Sequence, residues 1–314
     1  MTRPEKGAIT EMKTIGIMDA GAAAGGQPLP EIPGKTSALA PVCHIETLGR
    51  RRLRCGLWNR AVKSGGTPLV VFNGIGMNLE TLQPLAEAMG GRPILSLDPP
   101  GVGGSPDPLV PYTPAMAAGW MAELIDRHDI AQADVLGFSW GGAIAQEFAL
   151  RHGQRVRRLA LAAIGPGWPM IPGNPATLAH LADPRWIAGL IKNPGQAGFL
   201  GLGPADRATL TPDFLSRLKH PGTMGYLYQM AALAGWSSVL CLPLLNTPTL
   251  VLMGQKDPII PLANGRLLAT LIPQARLEVI GDAGHLFIFS HMQQCVQHLQ
   301  SFMPYDTQAR KRAA

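Results

Sequence analysis

The sequence predicts an α/β fold: a doubly wound, mostly parallel β-sheet with an inserted helical cap. Short apolar runs, typical of strands covered on both faces, alternate with segments of helical spacing that are long enough to cross between parallel strands. This alternation stops after residue 164 and resumes near residue 237, which indicates an insertion between two halves of one sheet. A strand that turns sharply into a helix, centred on Ser139, lies within the first half.

The first half of the alternation begins with a hairpin, because two strand-like runs flank a turn that contains Gly49. The run 68–72 is continuously apolar, as expected for a strand of a parallel sheet. In chain order, the predicted elements are hairpin strands 44–47 and 53–58, strand 68–72, helix 79–89, strand 93–97, helix 113–128, a strand that ends at Ser139, a helix to about residue 152 and strand 159–164.

Residues 165–236 break this pattern and are predicted to form a cap. They are rich in proline, tryptophan, tyrosine and methionine, and they contain helical fragments without a strand pattern. Beyond them, the predicted elements are strand 248–253, helix 262–271, strand 276–280 and helix 290–302. The predicted organisation is a flexible leader (1–42), a core made of two pieces (43–164 and 237–305), the cap (165–236) and a basic tail (306–314).

Composition and short motifs indicate which partners, cofactors and cellular locations are expected for this protein. The 314 residues carry a net charge of +6, but the basic runs are scattered and no nucleic-acid motif accompanies them, so we predict no nucleic-acid partner. No apolar run approaches the ~20 residues of a membrane span, and Asp19 interrupts the one signal-like stretch. We therefore predict a cytoplasmic protein without a transmembrane segment. The four cysteines lack metal-type spacing and the loop 98–105 lacks the pattern of a nucleotide-binding loop, so we predict no metal and no cofactor.

The motif Gly137-Phe138-Ser139-Trp140-Gly141 predicts a nucleophilic serine. An apolar strand precedes the motif and good helix formers follow it, so Ser139 is expected at a strand-to-helix turn that lifts its side chain clear of the sheet. The glycines two residues to either side let strand and helix pass closely. A glycine-rich turn whose serine has no catalytic role is the alternative interpretation.

A serine hydroxyl needs a base to take its proton, and the base needs a third group to orient it. His285 follows the strand predicted to end at Ile280, and Asp257 follows the strand predicted to end at Met253. Both loops leave the carboxyl ends of strands, where sites in open α/β sheets are built. We predict His285 as the base and Asp257 as the acid. Asp282 is the rival acid, but it lies only three residues before the histidine that it would have to orient.

This chemistry also requires an oxyanion hole, because negative charge develops on the carbonyl oxygen of the substrate. One predicted donor is the backbone N–H of Trp140, the residue after the nucleophile, at the start of its helix. The other is the N–H of Ile75, in the glycine-flanked loop after strand 68–72. For Asn73 we predict a structural role, in which its side chain ties this loop down.

These motifs resemble those of the α/β-hydrolases and, more narrowly, those of the intracellular poly(3-hydroxyalkanoate) depolymerases that act on medium-chain-length storage polyester in bacteria. The narrower resemblance rests on Asn73-Gly74-Ile75-Gly76, where many relatives carry histidine in place of the asparagine. It also rests on the cap residues from Met224-Gly225-Tyr226 to Gly235-Trp236. The resembling blocks span roughly residues 45 to 303.

The resemblance implies Ser139 as nucleophile, Asp257 as acid and His285 as base, which agrees with the assignment from the residues themselves. It further implies a polyester or other hydrophobic ester as substrate, and association with storage granules. An apolar channel in the cap would hold such a chain. The candidate lining residues are Trp168, Met224, Tyr226 and Trp236, and the alternative is that such aromatic and methionine side chains form a small core within the cap.

Two other functions stay open on the sequence alone. In the first, the protein keeps the fold but is a carboxylesterase for small soluble esters, or a hydrolase of carbon–carbon bonds. In the second, it is a binding protein on a hydrolase scaffold. The usual sign of the second is a broken set of serine, acid and histidine, and all three are present here.

Overall fold

The computed structural model describes residues 40–59, 66–193 and 203–305. The predicted leader, apart from its last three residues, and the predicted basic tail lie outside these ranges. Within them, no helix is long and apolar enough to cross a lipid bilayer.

An eight-stranded sheet organises the described chain, with strand order β1-β2-β4-β3-β5-β6-β7-β8. The first strand pairs antiparallel with the second, the second pairs antiparallel with the fourth, and every other pair is parallel. The strands are β1 (Val42–Leu48), β2 (Arg51–Trp58), β3 (Leu69–Phe72), β4 (Ile94–Leu97), β5 (Ala133–Phe138), β6 (Val156–Ala162), β7 (Thr249–Gly254) and β8 (Ala275–Ile280).

Helices connect the parallel strands, and five more lie in the described part of the segment between β6 and β7. We call residues 165–236 the cap segment, and it contains α4 to α8. Short 3-10 helices lie at Leu79–Leu82, Gly153–Arg155 and Leu242–Leu244. The α-helices are α1 (Gln83–Ala88), α2 (Pro114–Arg127), α3 (Trp140–Arg151), α4 (Pro175–Leu181), α5 (Trp186–Lys192), α6 (Pro204–Thr209), α7 (Pro212–Arg217), α8 (Thr223–Ala234), α9 (Leu262–Leu271), α10 (Phe287–Ser290) and α11 (Met292–Phe302).

Two apolar layers enclose the sheet, one on each face. Because side chains alternate along a strand, Val70 and Phe72 of β3 pack into one layer, and Leu69 and Val71 pack into the other. The first layer contains apolar side chains of α2, α3 and α9, and the second contains those of α1 and α11. Helices on both faces of a mostly parallel sheet confirm the predicted α/β class.

One predicted helix differs from the structure. The segment 79–89 is a 3-10 turn followed by the short helix α1, which ends at Ala88. Pro84 lies in the first turn of α1, where the missing N–H of proline costs no hydrogen bond. A single helix that continued from the preceding turn would need an N–H at this position. The proline therefore starts a new helix instead of extending the old one.

A partly buried ion-pair network ties the cap segment to the core. Arg54 of β2 donates to Asp98, in the loop after β4, over 3.0 Å, and to Glu80 over 2.8 Å. Lys219, in the cap segment, donates to the same Glu80 over 2.6 Å. Asp98 also accepts the backbone N–H of Gly104 at 3.1 Å, so this side chain holds the loop 98–105 in a tight turn.

Candidate active site

Ser139 occupies the turn between β5 and α3, with φ of 50° and ψ of −122°. Positive φ is strained for a residue with a side chain, and the surrounding packing must hold it. Glycines make this packing possible. A Cβ on Gly137 would lie 2.5 Å from the Cβ of Ala145, and a Cβ on Gly141 would lie 2.1 Å from the carbonyl oxygen of Phe72. The turn thus requires glycine at both positions where the motif has it.

A chain of hydrogen bonds joins the three side chains predicted from the sequence, those of Ser139, His285 and Asp257. The hydroxyl of Ser139 lies 2.9 Å from Nε2 of His285, and Nδ1 of His285 lies 2.8 Å from Oδ2 of Asp257. An ionised carboxylate only accepts, so this contact fixes the ring proton on Nδ1. Nε2 is then left with a lone pair that faces the serine hydroxyl. The geometry suits transfer of the serine proton to the ring.

Asp257 is held in place by its own loop. Its side chain is fully buried, and its Oδ1 accepts the backbone N–H groups of Ile259 at 2.8 Å and Ile260 at 2.9 Å. These two bonds leave Oδ2 for the histidine. Asp282 points elsewhere: its side chain is 83% exposed and pairs with Lys256 at 2.6 Å. The arrangement therefore brings together His285 with Asp257 and leaves out the rival.

The loop after β3 is tied down by Asn73. Its Nδ2 donates to the carbonyl oxygen of Asn78 at 3.1 Å and to the hydroxyl of Thr81 at 2.8 Å. Its Oδ1 accepts the backbone N–H of Gly74 at 2.9 Å. These three hydrogen bonds tie the start of the loop to its end and to the 3-10 turn that follows, which confirms the structural role predicted for this asparagine.

The N–H of Ile75 differs from those of the glycines beside it. Those of Gly74, Gly76 and Met77 are each hydrogen-bonded, the last to the carbonyl of Gly74 at 3.1 Å. Among the described residues, none accepts from the N–H of Ile75. Trp140 is the first residue of α3, where an N–H has no acceptor within the helix. Both residues line the same cavity as Ser139, which suits a pair of donors for an oxyanion.

A cavity of about 440 Å³ opens onto Ser139 and His285. Apart from these two, the described lining consists of glycine, proline and apolar or aromatic side chains, with no Lys, Arg, Asp or Glu. Core and cap segment both contribute. Representative lining residues are Phe138 and Ile259 from the core, and Trp186, Ile187, Phe214 and Leu233 from the cap segment.

Of the four cap residues expected to line a channel, only Trp168 borders this cavity, and it is 73% exposed. Tyr226 is buried, and its hydroxyl donates to a backbone carbonyl of α4 at 2.7 Å. The indole N–H of Trp236 donates to Glu147 of α3 at 2.9 Å. Met224 is exposed and lies outside the lining. The last three residues thus pack or face solvent instead of lining the cavity.

Two polar residues of the cap segment are buried near the site, although the sequence predicted no role for either. Gln229 of α8 accepts from the N–H of Gly76. Asp206 of α6 accepts from the hydroxyl of Ser290 at 3.1 Å, beside the loop that carries His285. Burial raises the pKa of the Asp206 carboxyl, although hydrogen bonds from Ser290 and a backbone N–H oppose the rise. No local sequence motif marks either residue, because the partners of both are distant in sequence.

A possible metal-binding group lies far from this site in the sequence. Ligand atoms of His44, Glu46 and His128 all come within 4.8 Å of one another. Glu46 already pairs with His44 at 2.9 Å and with Arg127 at 2.6 Å, so a cation there would compete with a guanidinium. This group has no part in the chemistry described above.

Known proteins are similar to this chain in sequence and in fold. A poly(3-hydroxyalkanoate) depolymerase from Ectopseudomonas oleovorans is 39% identical over 248 residues, which is 77% of this chain and 86% of the relative. A 2-hydroxymuconate semialdehyde hydrolase from Pseudomonas sp. strain CF600 is 30% identical over 78% of this chain and 89% of the relative. The crystal structure of a hydrolase from Pseudomonas aeruginosa PA01 aligns with a TM-score of 0.68 at 28% identity, over 83% of this chain and 98% of that one.

The match to a family model includes the six strands from β3 to β8. The model describes the alpha/beta hydrolase fold and matches residues 67–292, a range that contains Ser139, Asp257 and His285. Fold, relatives and family model agree, and the chain belongs to the α/β-hydrolase family.

Proposed function

We propose that the protein is a serine ester hydrolase that cleaves poly(3-hydroxyalkanoate) storage polyester to 3-hydroxy acids or short oligomers. The observation that carries this proposal is that the chain Asp257–His285–Ser139 ends in a cavity that is otherwise apolar. A low-polarity ester offers such a site one polar group, its carbonyl. The 39% identical depolymerase supports the choice of polyester.

In the first half of the reaction, Ser139 Oγ attacks the ester carbonyl while Nε2 of His285 takes the hydroxyl proton. The resulting oxyanion accepts from the N–H groups of Ile75 and Trp140, each worth about 3 kcal/mol of transition-state stabilisation. Asp257 stabilises the imidazolium that forms. The intermediate collapses when His285 donates its proton to the departing 3-hydroxyl oxygen, and the acyl group stays on Ser139.

In the second half, water replaces the departed alcohol. His285 takes a proton from the water as its oxygen attacks the acyl carbonyl, and the same two N–H groups receive the second oxyanion. Collapse breaks the bond to Ser139 Oγ, which recovers its proton from His285. The 3-hydroxy acid or oligomer leaves, and no metal or cofactor enters any step of this scheme.

The cavity supports a substrate with alkyl branches. Its ~440 Å³ falls within the roughly 300–1,000 Å³ of pockets for small ligands, so it has room for an acyl unit beside Ser139 but not for a long polymer. Transfer of each methylene from water into such a lining contributes about 0.8 kcal/mol. We also propose that the protein acts in the cytoplasm at the surface of polyester granules, which its similarity to a poly(3-hydroxyalkanoate) depolymerase supports.

A small-substrate hydrolase is the second candidate, and the relative named for 2-hydroxymuconate semialdehyde gives it a concrete form. A muconate carries a carboxylate, which needs a cation or several donors when it is buried. The described lining of the cavity contains neither Lys nor Arg. This argues against an anionic substrate and leaves neutral small esters as the alternative.

The test compares wild type with Ser139→Ala on two kinds of substrate. We expect wild type to hydrolyse p-nitrophenyl esters of medium chain length and to clear suspensions of medium-chain-length polyester granules. Ser139→Ala should lose both activities by at least about 10⁴-fold without a change in melting temperature. Ser216→Ala, on the exposed face of α7, is the matched control and should behave as wild type.

Each outcome assigns one function. Residual ester cleavage by Ser139→Ala within tenfold of wild type would reject Ser139 as the nucleophile. Hydrolysis of p-nitrophenyl esters without granule clearing would reject the polyester and support the small-ester alternative. A comparison of short- and medium-chain-length granules then reports the preferred side-chain length.

A further inference from the structure

The cap segment contacts both halves of the proposed oxyanion hole through one residue. Gln229 lies in α8 and is completely buried. Its side-chain Oε1 accepts the N–H of Gly76 at 2.9 Å, across 153 positions of sequence. Its main-chain carbonyl accepts the indole N–H of Trp140 at 3.0 Å, across 89 positions.

These two bonds reach the residues that flank the predicted oxyanion. The N–H of Gly76 belongs to the peptide unit that follows Ile75, so anchoring it fixes the orientation of the Ile75 backbone. Trp140 supplies the second N–H, and its side chain is 1% exposed in the core. Anchoring its indole fixes the rotation of the residue that starts α3. A single residue of α8 thus makes hydrogen bonds to both segments that carry the proposed donors, the loop after β3 and the start of α3.

Two hydrogen bonds hold the turn at Ile75 and Gly76: the N–H of Met77 donates to the carbonyl of Gly74 at 3.1 Å within the loop, and the N–H of Gly76 donates to Gln229 on α8. Gly76 has a φ of 66°, and a Cβ at this position would lie 2.5 Å from Cδ1 of Ile187 in α5. Asn73 fixes the amino-terminal side of the loop through Gly74, whereas the peptide after Ile75 has its anchor outside the loop, on α8. Removing that anchor leaves the N–H of Gly76 buried without an acceptor and competing for other partners.

We propose that Gln229 is the positioning residue of the oxyanion hole: from the cap segment, it holds the Ile75–Gly76 peptide and Trp140 at the separation that the transition state requires. The inference rests on the proposed function, which assigns the N–H groups of Ile75 and Trp140 to the oxyanion. It adds that the cap segment takes part in the chemical step and does not act only as a cover over the substrate.

Gln229→Met tests this proposal, because methionine keeps the length and volume of the side chain but has no strong acceptor. We expect kcat for a p-nitrophenyl ester to fall about 10- to 100-fold with KM within twofold, since a displaced donor is lost from the transition state and not from substrate binding. The rate of covalent labelling of Ser139 by a fluorophosphonate should fall in parallel, since phosphonylation also develops charge on an oxygen in the hole.

Gln146→Met is the matched control. Gln146 is equally buried on α3, and its side chain donates to the carbonyl of Gly165 at 3.1 Å and accepts from Ser238 at 2.7 Å. None of its side-chain hydrogen bonds to the described residues reaches the loop after β3 or the indole of Trp140. The same substitution there should lower the melting temperature by a similar amount and leave kcat within threefold. A common loss of kcat in both variants would identify a general packing effect and overturn the proposal.

Gln229→Glu provides a second, independent readout. The introduced carboxyl keeps an acceptor oxygen for Gly76, and its negative charge opposes a developing oxyanion nearby. The ratio of its kcat to that of wild type should therefore fall as pH rises and the carboxyl ionises. A ratio that stays constant between pH 5 and 9 would contradict the proximity on which the proposal depends.

The outcomes separate this inference from the proposed function. If wild type is neither labelled by the fluorophosphonate nor active on esters, the assignment of Ser139 fails, and the inference fails with it. If wild type is labelled and active but Gln229→Met retains kcat within threefold, the proposed function stands and the positioning role is wrong.

Discussion

Replacement of Asp257 by Asn tests whether this carboxylate fixes the tautomer of His285. Oδ1 of Asp257 accepts two backbone N–H groups, from Ile259 and Ile260, and Oδ2 accepts from Nδ1 of His285. An asparagine at this position must turn its carbonyl oxygen toward the two backbone donors, because its NH₂ group cannot accept them. The NH₂ group then faces the histidine and donates to Nδ1. The ring proton is forced onto Nε2.

The expected loss of kcat follows from this change of tautomer. With a proton on Nε2, the ring cannot take one from Ser139, whose Oγ lies 2.9 Å away. In serine hydrolases with the same relay, such a reversal lowers kcat by about 10⁴-fold, which corresponds to about 5.5 kcal/mol in the activation barrier. The substitution keeps the shape of the side chain and both backbone bonds. We therefore expect the free energy of unfolding to change by less than about 1 kcal/mol.

The assay measures kcat on a p-nitrophenyl ester together with a urea denaturation curve for Asp257→Asn and for Asp282→Asn. Asp282 has an exposed side chain and a φ of 55°, a conformation that asparagine also adopts well. Asp282→Asn should therefore retain activity within twofold. Activity of Asp257→Asn within tenfold of wild type, or a greater loss in Asp282→Asn, would refute the assignment of the acid.

Three further predictions concern stability. Burial alone would raise the pKa of Glu80, but hydrogen bonds from Arg54 and Lys219 outweigh it and lower the pKa to about 2. Because solvent reaches 24% of this side chain, we expect Glu80→Gln to cost about 2 kcal/mol at pH 7 in urea denaturation, a deficit that shrinks as pH falls below about 4.5. Burial raises the pKa of Asp206 from 3.8, so the folded state holds that proton more tightly and wild type loses stability as pH rises from about 4. Asp206→Asn should thus gain melting temperature over wild type at pH 8 and match it near pH 4, and a gap of opposite sign would contradict the buried carboxylate. Gly137→Ala should destabilise by about 2–3 kcal/mol and abolish activity, because its Cβ would overlap Ala145, and a soluble, active variant would disprove the close packing at the turn.

The parallel sheet could be predicted from the sequence because strands buried on both faces leave continuous apolar runs, such as 68–72. The start of β6 could not. It begins at Val156, three residues before the predicted strand, and its second and third residues are Arg157 and Arg158. Arg157 donates to Asp134 at 2.8 Å, and Arg158 donates to a backbone carbonyl at the end of α11 at 2.6 Å. Tertiary partners make charged residues compatible with a strand there, and no local pattern encodes them.

The candidate site divides in the same way. Ser139, Asp257 and His285 could be found because each follows the carboxyl end of a strand, a position that the topology makes functional. The lining of the cavity could not be found from residue type. Aromatic residues such as Tyr226 and Trp236 suit a channel and a buried anchor equally well, and only packing determines which way each ring faces.

The apolar lining of the cavity has a consequence for the release of product. In the proposed reaction, hydrolysis turns a neutral ester into an acid that ionises at neutral pH, and a carboxylate loses several kcal/mol of hydration where the described lining offers neither Lys nor Arg. Ionisation therefore favours release of each newly formed acid from the cavity into water. A site of this kind resists inhibition by its own accumulating product near neutrality and becomes sensitive to it only in acid, where the product stays uncharged.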